Sequence, residues 1–285
     1  MKRYDSNWIK SKFPELAKIQ TLSSGGQKEV FKGHHQEYGD VVIKIIKPSE
    51  DEFERTLREI KVAEIIKSSN VPRIYKTNIE ETQSPPIWII EEYISGKTLR
   101  ELLKEGKKFF LSEVVEFLDT LLKISIEAEK HRIVHRDIKP DNIILDTKGK
   151  YWLIDFGIAR HLELNSLTST NQGLGLFTVG YAAPEQFRNI KRDISVRADL
   201  FSIGVVAMEL LTGKNPFIEN ARSILEVLRN TETYILPTLT IEGDTQYELS
   251  AFINVLADKR LSRRPSSAKE AYEIFISIKP TLILI

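Results

Sequence analysis

Apolar residues in the first third of the chain recur in short β-branched runs, Glu29 to Lys32, Val41 to Ile46 and Ile87 to Ile90, separated by Gly, Pro and polar clusters. Runs of this length bounded by turn residues predict antiparallel strands. Between the second and third runs, Ser49 followed three residues later by Glu52 forms a capping-box pattern, and Phe53 to Lys67 carries apolar residues at helical spacing. A small sheet with one helix follows. From Ser112 the period changes: Val114, Val115, Leu118, Leu121 and Leu122 mark a long amphipathic helix, and several more helical patterns come after it. The segment Glu92-Tyr93-Ile94-Ser95-Gly96, leading into Thr98 to Leu103, suits a short connector between an N-terminal lobe of about residues 1–94 and a C-terminal lobe of about 95–285. The expected class is α+β in two lobes, the second mostly helical.

The chain has 285 residues, 41% of them apolar, which is enough for a substantial core and argues against overall disorder. Its 41 Lys plus Arg against 40 Asp plus Glu leave a net charge of +1, with no footprint of nucleic-acid binding, so functional charge must be local. The absence of cysteine removes disulfides, thiolate chemistry and Cys-type zinc sites together. Met1-Lys2-Arg3-Tyr4-Asp5 is polar and aromatic, unlike a secretory signal, so a cytoplasmic setting is expected. The longest mainly apolar stretch, Leu200 to Leu211, is 12 residues long and carries Glu209; it reads as a buried helix and no membrane segment is expected.

Two loops concentrate the polar chemistry. His135-Arg136-Asp137-Ile138-Lys139-Pro140-Asp141-Asn142 lies between the long helix and the apolar strand Ile143-Ile144-Leu145, and Asp155-Phe156-Gly157 follows the strand Tyr151 to Ile154. Phosphoryl transfer asks for metal ligands on the nucleotide phosphates, a carboxylate near the attacking hydroxyl and a cation on the transferred group. The two loops contain all three. The plainer reading of the Asp and Asn residues in these loops is ordinary turn chemistry, in which they satisfy their own backbone.

Together with Ala183-Pro184-Glu185 and the Val41-Val42-Ile43-Lys44 run, the two loops resemble the signature set of the eukaryotic-type protein serine/threonine kinase family, over roughly residues 18 to 275. The resemblance implies the two-lobed protein kinase fold, with ATP and Mg²⁺ as cofactors and a protein substrate carrying a Ser or Thr acceptor. It implies that Asp137 accepts or orients the hydroxyl proton, that Lys139 contacts the transferred phosphate, and that Asn142 and Asp155 are metal ligands. Asp141 falls at a variable position and reads as a turn residue. Lys44 resembles the lysine on the α- and β-phosphates, with Glu59 rather than Glu64 as its helix partner. Thr178, three residues before Tyr181, resembles the threonine of the substrate-binding loop. Asp199 resembles the aspartate that holds the catalytic loop's backbone, and Arg264 the arginine that pairs with Glu185.

The glycine-rich loop departs from the family. Aligning Val30 with the family's valine gives Leu22-Ser23-Ser24-Gly25-Gly26-Gln27-Lys28-Glu29-Val30, in which Gly25 alone keeps its place, serine replaces the first glycine and Lys28 the third. Read alone, Gly25-Gly26 is as good a hairpin turn as a phosphate loop. With Lys44 downstream, Leu22, Ser23, Gly25, Gly26 and Val30 are assigned to the nucleotide, with Lys28 near the phosphates. Glu92, Ile94 and Ile144 complete the adenine slot by resemblance. Glu91 then stands at the back of the pocket, where a carboxylate needs a partner. Ser166, Thr168, Ser169 and Thr170 lie where the family carries activating phosphorylation, with Arg136 and Arg160 turned toward them. The alternative to an active kinase is a nucleotide-binding pseudokinase acting as a scaffold or regulator, suggested by the altered loop. A small-molecule kinase of similar fold is a third reading.

Overall fold

Residue parity decides which face of the N-terminal sheet each side chain occupies. The computed structural model describes residues 4–284 except 26–27, 48–52, 55, 58–59, 62–63, 84–85, 157–178 and 189–192. After helix α1 (Ser6–Lys12) come strands β1 (Leu16–Ser24), β2 (Lys28–His35), β3 (Gly39–Ile46), β4 (Ile74–Thr77) and β5 (Ile87–Glu92), in one antiparallel sheet of order β1-β2-β3-β5-β4. In the central strand, Val41, Ile43 and Ile45 join Phe31, Ile90, Ile9 and Phe13 on the face covered by α1. Ile46 joins Ile87, Ile89, Phe53 and Ile60 on the other face. The expected helix after β3 is present at the described positions Phe53, Glu54, Thr56, Leu57, Ile60 and Lys61.

The same alternation puts Val30, Lys44 and Ile89 in one row, because Val30 lies opposite Lys44 and Lys44 opposite Ile89. That row faces the cleft. Glu29, one residue before Val30, points to the α1 side, where its carboxylate accepts from Lys47 Nζ at 3.0 Å and from the Tyr4 backbone N–H at 2.9 Å. Helix α1 itself, capped by the Asp5 side chain on the Trp8 N–H, was not among the expected elements.

The connector does more than join lobes. Its strand β6 (Gly96–Thr98) pairs with β7 (Ile143–Asp146), and β7 pairs with β8 (Tyr151–Leu153). A Cβ on Gly96 would lie 2.3 Å from the Leu145 oxygen and 2.7 Å from Asp146 Cα, so glycine is what lets the chain cross this strand so closely. Next come α2 (Leu99–Lys104), started by a Thr98/Glu101 capping box, and α3 (Leu111–Lys130). Helices α4 (Pro184–Phe187), α5 (Val196–Thr212), α6 (Ile224–Thr233), α7 (Glu248–Leu256) and α8 (Ala268–Ile278) complete the second lobe. One core holds Phe117 and Leu121 of α3, Tyr151 and Leu153 of β8, Phe201 of α5 and Phe275 of α8. Helix α5 is buried nearly all round, as an apolar helix in the middle of a lobe must be. No helix among the described residues is long and apolar enough to cross a membrane.

The ion pair expected between Arg264 and Glu185 forms as a two-pronged contact, with Nη1 and Nη2 donating to Oε1 and Oε2 at 2.7 and 2.9 Å. Arg264 also donates to the backbone oxygens of Asp258 and Arg197 at 2.7 and 2.9 Å and lies over the Phe201 ring. Its side chain has no exposed surface. Arg264→Ala would strand the buried Glu185 carboxylate, so the unfolding free energy should fall by about 3–5 kcal/mol in a denaturant titration. A loss below about 1 kcal/mol would contradict a buried, coupled pair.

Candidate active site

The loop from His135 to Asn142 is pinned from beneath. Asp199, in the first turn of α5, accepts the backbone N–H groups of His135 and Arg136 on its two oxygens, both at 2.7 Å. Arg136 has φ +66°, a left-handed conformation that lets two successive N–H groups converge on one carboxylate, at a backbone cost of about 1–3 kcal/mol. His135 is fully enclosed, and burial holds its ring below its usual pKa, hence neutral. Its Nδ1 accepts the Asp137 N–H at 3.2 Å, which leaves Nε2 to donate to the Ile154 oxygen at 3.1 Å. Phe156 packs edge-on against this ring, 4.7 Å between centroids. One histidine thus ties the loop to the segment carrying Asp155.

On this platform the candidate groups are ordered. Asp137 Oδ2 takes Lys139 Nζ at 2.9 Å and Asn142 Nδ2 at 2.8 Å, and the same amide nitrogen also donates to the Asp137 backbone oxygen at 2.9 Å. With its nitrogen committed to Asp137, Asn142 offers its amide oxygen to a cation. Asp155, at φ +62°, is held by two cations: Lys44 Nζ at 2.7 Å from Oδ1 and Lys28 Nζ at 2.9 Å from Oδ2. Burial alone would raise its carboxyl, but the two ammonium groups hold it far below the ordinary carboxylate range. Lys44 also pairs with Glu91, the partner that this carboxylate needed. Burial works against the Lys44 charge, yet Asp155 and Glu91 keep it raised; burial lifts Glu91 despite Lys44. The result is a row of alternating charge, Glu91, Lys44, Asp155, Lys28.

The donor set suits Mg²⁺. No three His, Cys, Asp or Glu side chains cluster as a self-contained metal site among the described residues. One carboxylate and one amide oxygen match the sparse protein ligation of Mg²⁺, which is completed by substrate phosphates and water. That Asp155 already attracts two ammonium cations shows the pull of this position on positive charge.

Other expected residues fall around this centre. Gly25 closes the β1–β2 turn, its N–H donating to the Lys28 oxygen at 2.9 Å, and Leu22 is exposed at the rim. Glu92 ends β5, Ile94 is buried just beyond it, and Ile144 sits half-buried in β7. Glu64 accepts from Thr77 on the surface, and Asp141 meets Arg100 at 3.3 Å. Neither of the adjacent histidines His34 and His35 belongs to a metal cluster: the first pairs with Asp40 and the second stacks on Tyr38. Glu59, Gly26, Thr178, Arg160 and the Ser/Thr positions from Ser166 to Thr170 lie outside the described residues. Lys28 is the residue whose contact the sequence located only in outline; it was placed near phosphates, and it meets the metal-ligand candidate itself.

The fold and this arrangement define a protein kinase. The family described as protein kinase domain matches residues 16–275, and the chain belongs to it. It is similar to the serine/threonine-protein kinase PrkC of Bacillus subtilis, 34% identical over 204 residues, which is 70% of this chain and 30% of that protein. The serine/threonine-protein kinase PknB of Mycolicibacterium smegmatis is 29% identical over 264 residues, 90% of this chain and 41% of the relative. A protein of Clostridium acetobutylicum named a probable serine/threonine-protein kinase is 29% identical over 243 residues, 84% of this chain and 36% of its own length. The chain therefore spans about a third to two fifths of these relatives.

Proposed function

We propose that this chain transfers the γ-phosphoryl group of ATP to serine or threonine hydroxyls of protein substrates, itself included. The observation that carries the reading is Asp137, whose carboxylate is held by Lys139 and Asn142 in a loop fastened to Asp199. Asp137 orients the acceptor hydroxyl and takes its proton; Lys139, which contacts Asp137 at 2.9 Å, offsets charge on the transferred phosphoryl group. Asn142 and Asp155 would hold Mg²⁺, which when bound supplies charge neutralisation on the phosphates. Lys44 meets the α- and β-phosphates. Leu22, Val30 and Ile144 enclose the adenine, with the backbone of Glu92 and Ile94 at its edge, while Ser23 and Gly25 cover the phosphates and Gly26 keeps the role its motif position implies. Glu59 and Thr178 keep the roles their motif positions imply, and the setting is cytoplasmic. Against the pseudokinase reading, every catalytic and metal-binding residue of the motif set is present in the sequence. The test is transfer of labelled phosphate from ATP to a generic protein acceptor with Mg²⁺ present; label equal to that of a Mg²⁺-free control would contradict it.

Lys28 belongs to this site. Its ammonium sits on Asp155, and a triphosphate with its higher charge is the stronger attractant. Lys28→Gly should raise the KM for ATP about threefold or more, since an attractive charge is lost from a position with limited solvent screening. An unchanged KM would remove Lys28 from the nucleotide site.

A further inference from the structure

Burying the carboxylate of Glu91 costs several kcal/mol unless it is paired, and an apolar side chain would fill its place without that cost. Its position follows from register. Val42 lies opposite Glu91 and Lys44 opposite Ile89, so Lys44 and Glu91 are diagonal neighbours on the cleft face of β3 and β5. These two strands are adjacent in the interior of the sheet, each with a partner on both sides. Their relative placement is set by backbone hydrogen bonds, so the Lys44–Glu91 contact is built into the sheet and owes nothing to a loop. The side chains are 6% and 9% exposed, too enclosed for water to substitute for either partner.

We propose that Glu91 is a positioning residue, which anchors the Lys44 ammonium from the sheet itself at the place where Lys44 meets the nucleotide; this rests on the kinase reading above. Lys44 is then held between two carboxylates of different duty. Asp155, 2.7 Å away, is a metal-ligand candidate and has to release some of its hold on lysine to bind a metal. Glu91 has no such second task, and it keeps Lys44 in place when Asp155 turns to the metal. Without Glu91, Asp155 would be the one carboxylate left on Lys44 among the described residues, and a metal could take Asp155 only by displacing a lysine with no second anchor.

A double-mutant cycle decides this. With Lys44 present, Glu91→Gln should weaken binding of Mg²⁺·ADP about fivefold, measured by calorimetry, and lower kcat by about tenfold or more. In a Lys44→Met background, Glu91→Gln should leave Mg²⁺·ADP affinity unchanged and raise Tm, because it removes a buried carboxylate that has lost its partner. Equal loss of affinity in both backgrounds, or no loss with Lys44 present, would overturn the proposal. Should Glu91→Gln fail to fold, Glu91→Met, which fills the same volume, runs the same cycle. The cycle reads binding, so it returns its answer even if the wild-type chain transfers no phosphate; failure of the kinase reading appears separately, as absent transfer.

Discussion

Asparagine in place of Asp137 is expected to lower turnover about 10²–10⁴-fold while leaving affinity for Mg²⁺·ATP within a factor of about two. The substitution keeps the side chain's shape and one oxygen for Lys139, so the loop, which hangs on Asp199 and His135, keeps its backbone. What disappears is the charge that draws the hydroxyl proton. The split between kcat and KM is the diagnostic: a residue that merely held the loop would change both, and one remote from the reaction would change neither. Steady-state kinetics with ATP varied, together with direct nucleotide titration, separates these outcomes. Turnover within a few-fold of wild type would remove Asp137 from the reaction.

Alanine at Asp155 acts on a different step. Lys28 and Lys44 approach the same carboxylate at 2.9 and 2.7 Å, so removing it leaves two ammonium groups close together with no anion between them. Like charges at such separations repel, and an incoming triphosphate would relieve that repulsion. Nucleotide binding without metal should therefore survive or tighten, whereas the strengthening that Mg²⁺ gives the wild type should vanish and turnover with it, by about 10³-fold or more. The comparison needs four titrations of ATP, each protein with and without Mg²⁺. If Mg²⁺ strengthens ATP binding equally in both proteins, Asp155 is not the metal's ligand.

The elements legible in the sequence were those whose pattern is dictated by burial. The Val41 to Ile46 run is a strand with neighbours on both sides, and Leu200 to Leu211 lies within a helix enclosed by its lobe; both leave near-continuous apolar runs. Strands β1 and β4 were not legible because they are the two edges of the sheet. Leu16 is the one buried residue among the nine of β1, and β4 has only four residues, so neither carries an alternation to read. Helix α1, seven residues with Ile9 alone buried, is too short to display a helical period, although Asp5 three residues before Trp8 is a capping signal.

In the site, residues named by one local motif are in contact: Asp137, Lys139 and Asn142 lie within six residues of one another. Long-range partners that no motif names were not legible in the sequence. That Glu91 would meet Lys44 depends on the β3–β5 register, and that Lys28 would reach Asp155 depends on two segments 127 residues apart. The need for a counter-charge at Glu91 was plain from its expected burial; the identity of the partner required the pairing of strands. The hairpin reading of Gly25 fits the 2.9 Å bond from its N–H to the Lys28 oxygen, and Lys28 beyond it reaches Asp155.

The most direct measurement is identification of the residue type that carries phosphate after reaction. The purified chain is incubated with labelled ATP, Mg²⁺ and a generic protein acceptor, and acceptor and kinase are hydrolysed separately to their phosphoamino acids, with Asp137→Asn in parallel. Label is expected on serine or threonine, in the wild type and not in the variant, because the motif carrying Asp137 and Lys139 resembles that of serine/threonine kinases. Label confined to tyrosine, or equal label from the Asp137→Asn protein, would contradict the account.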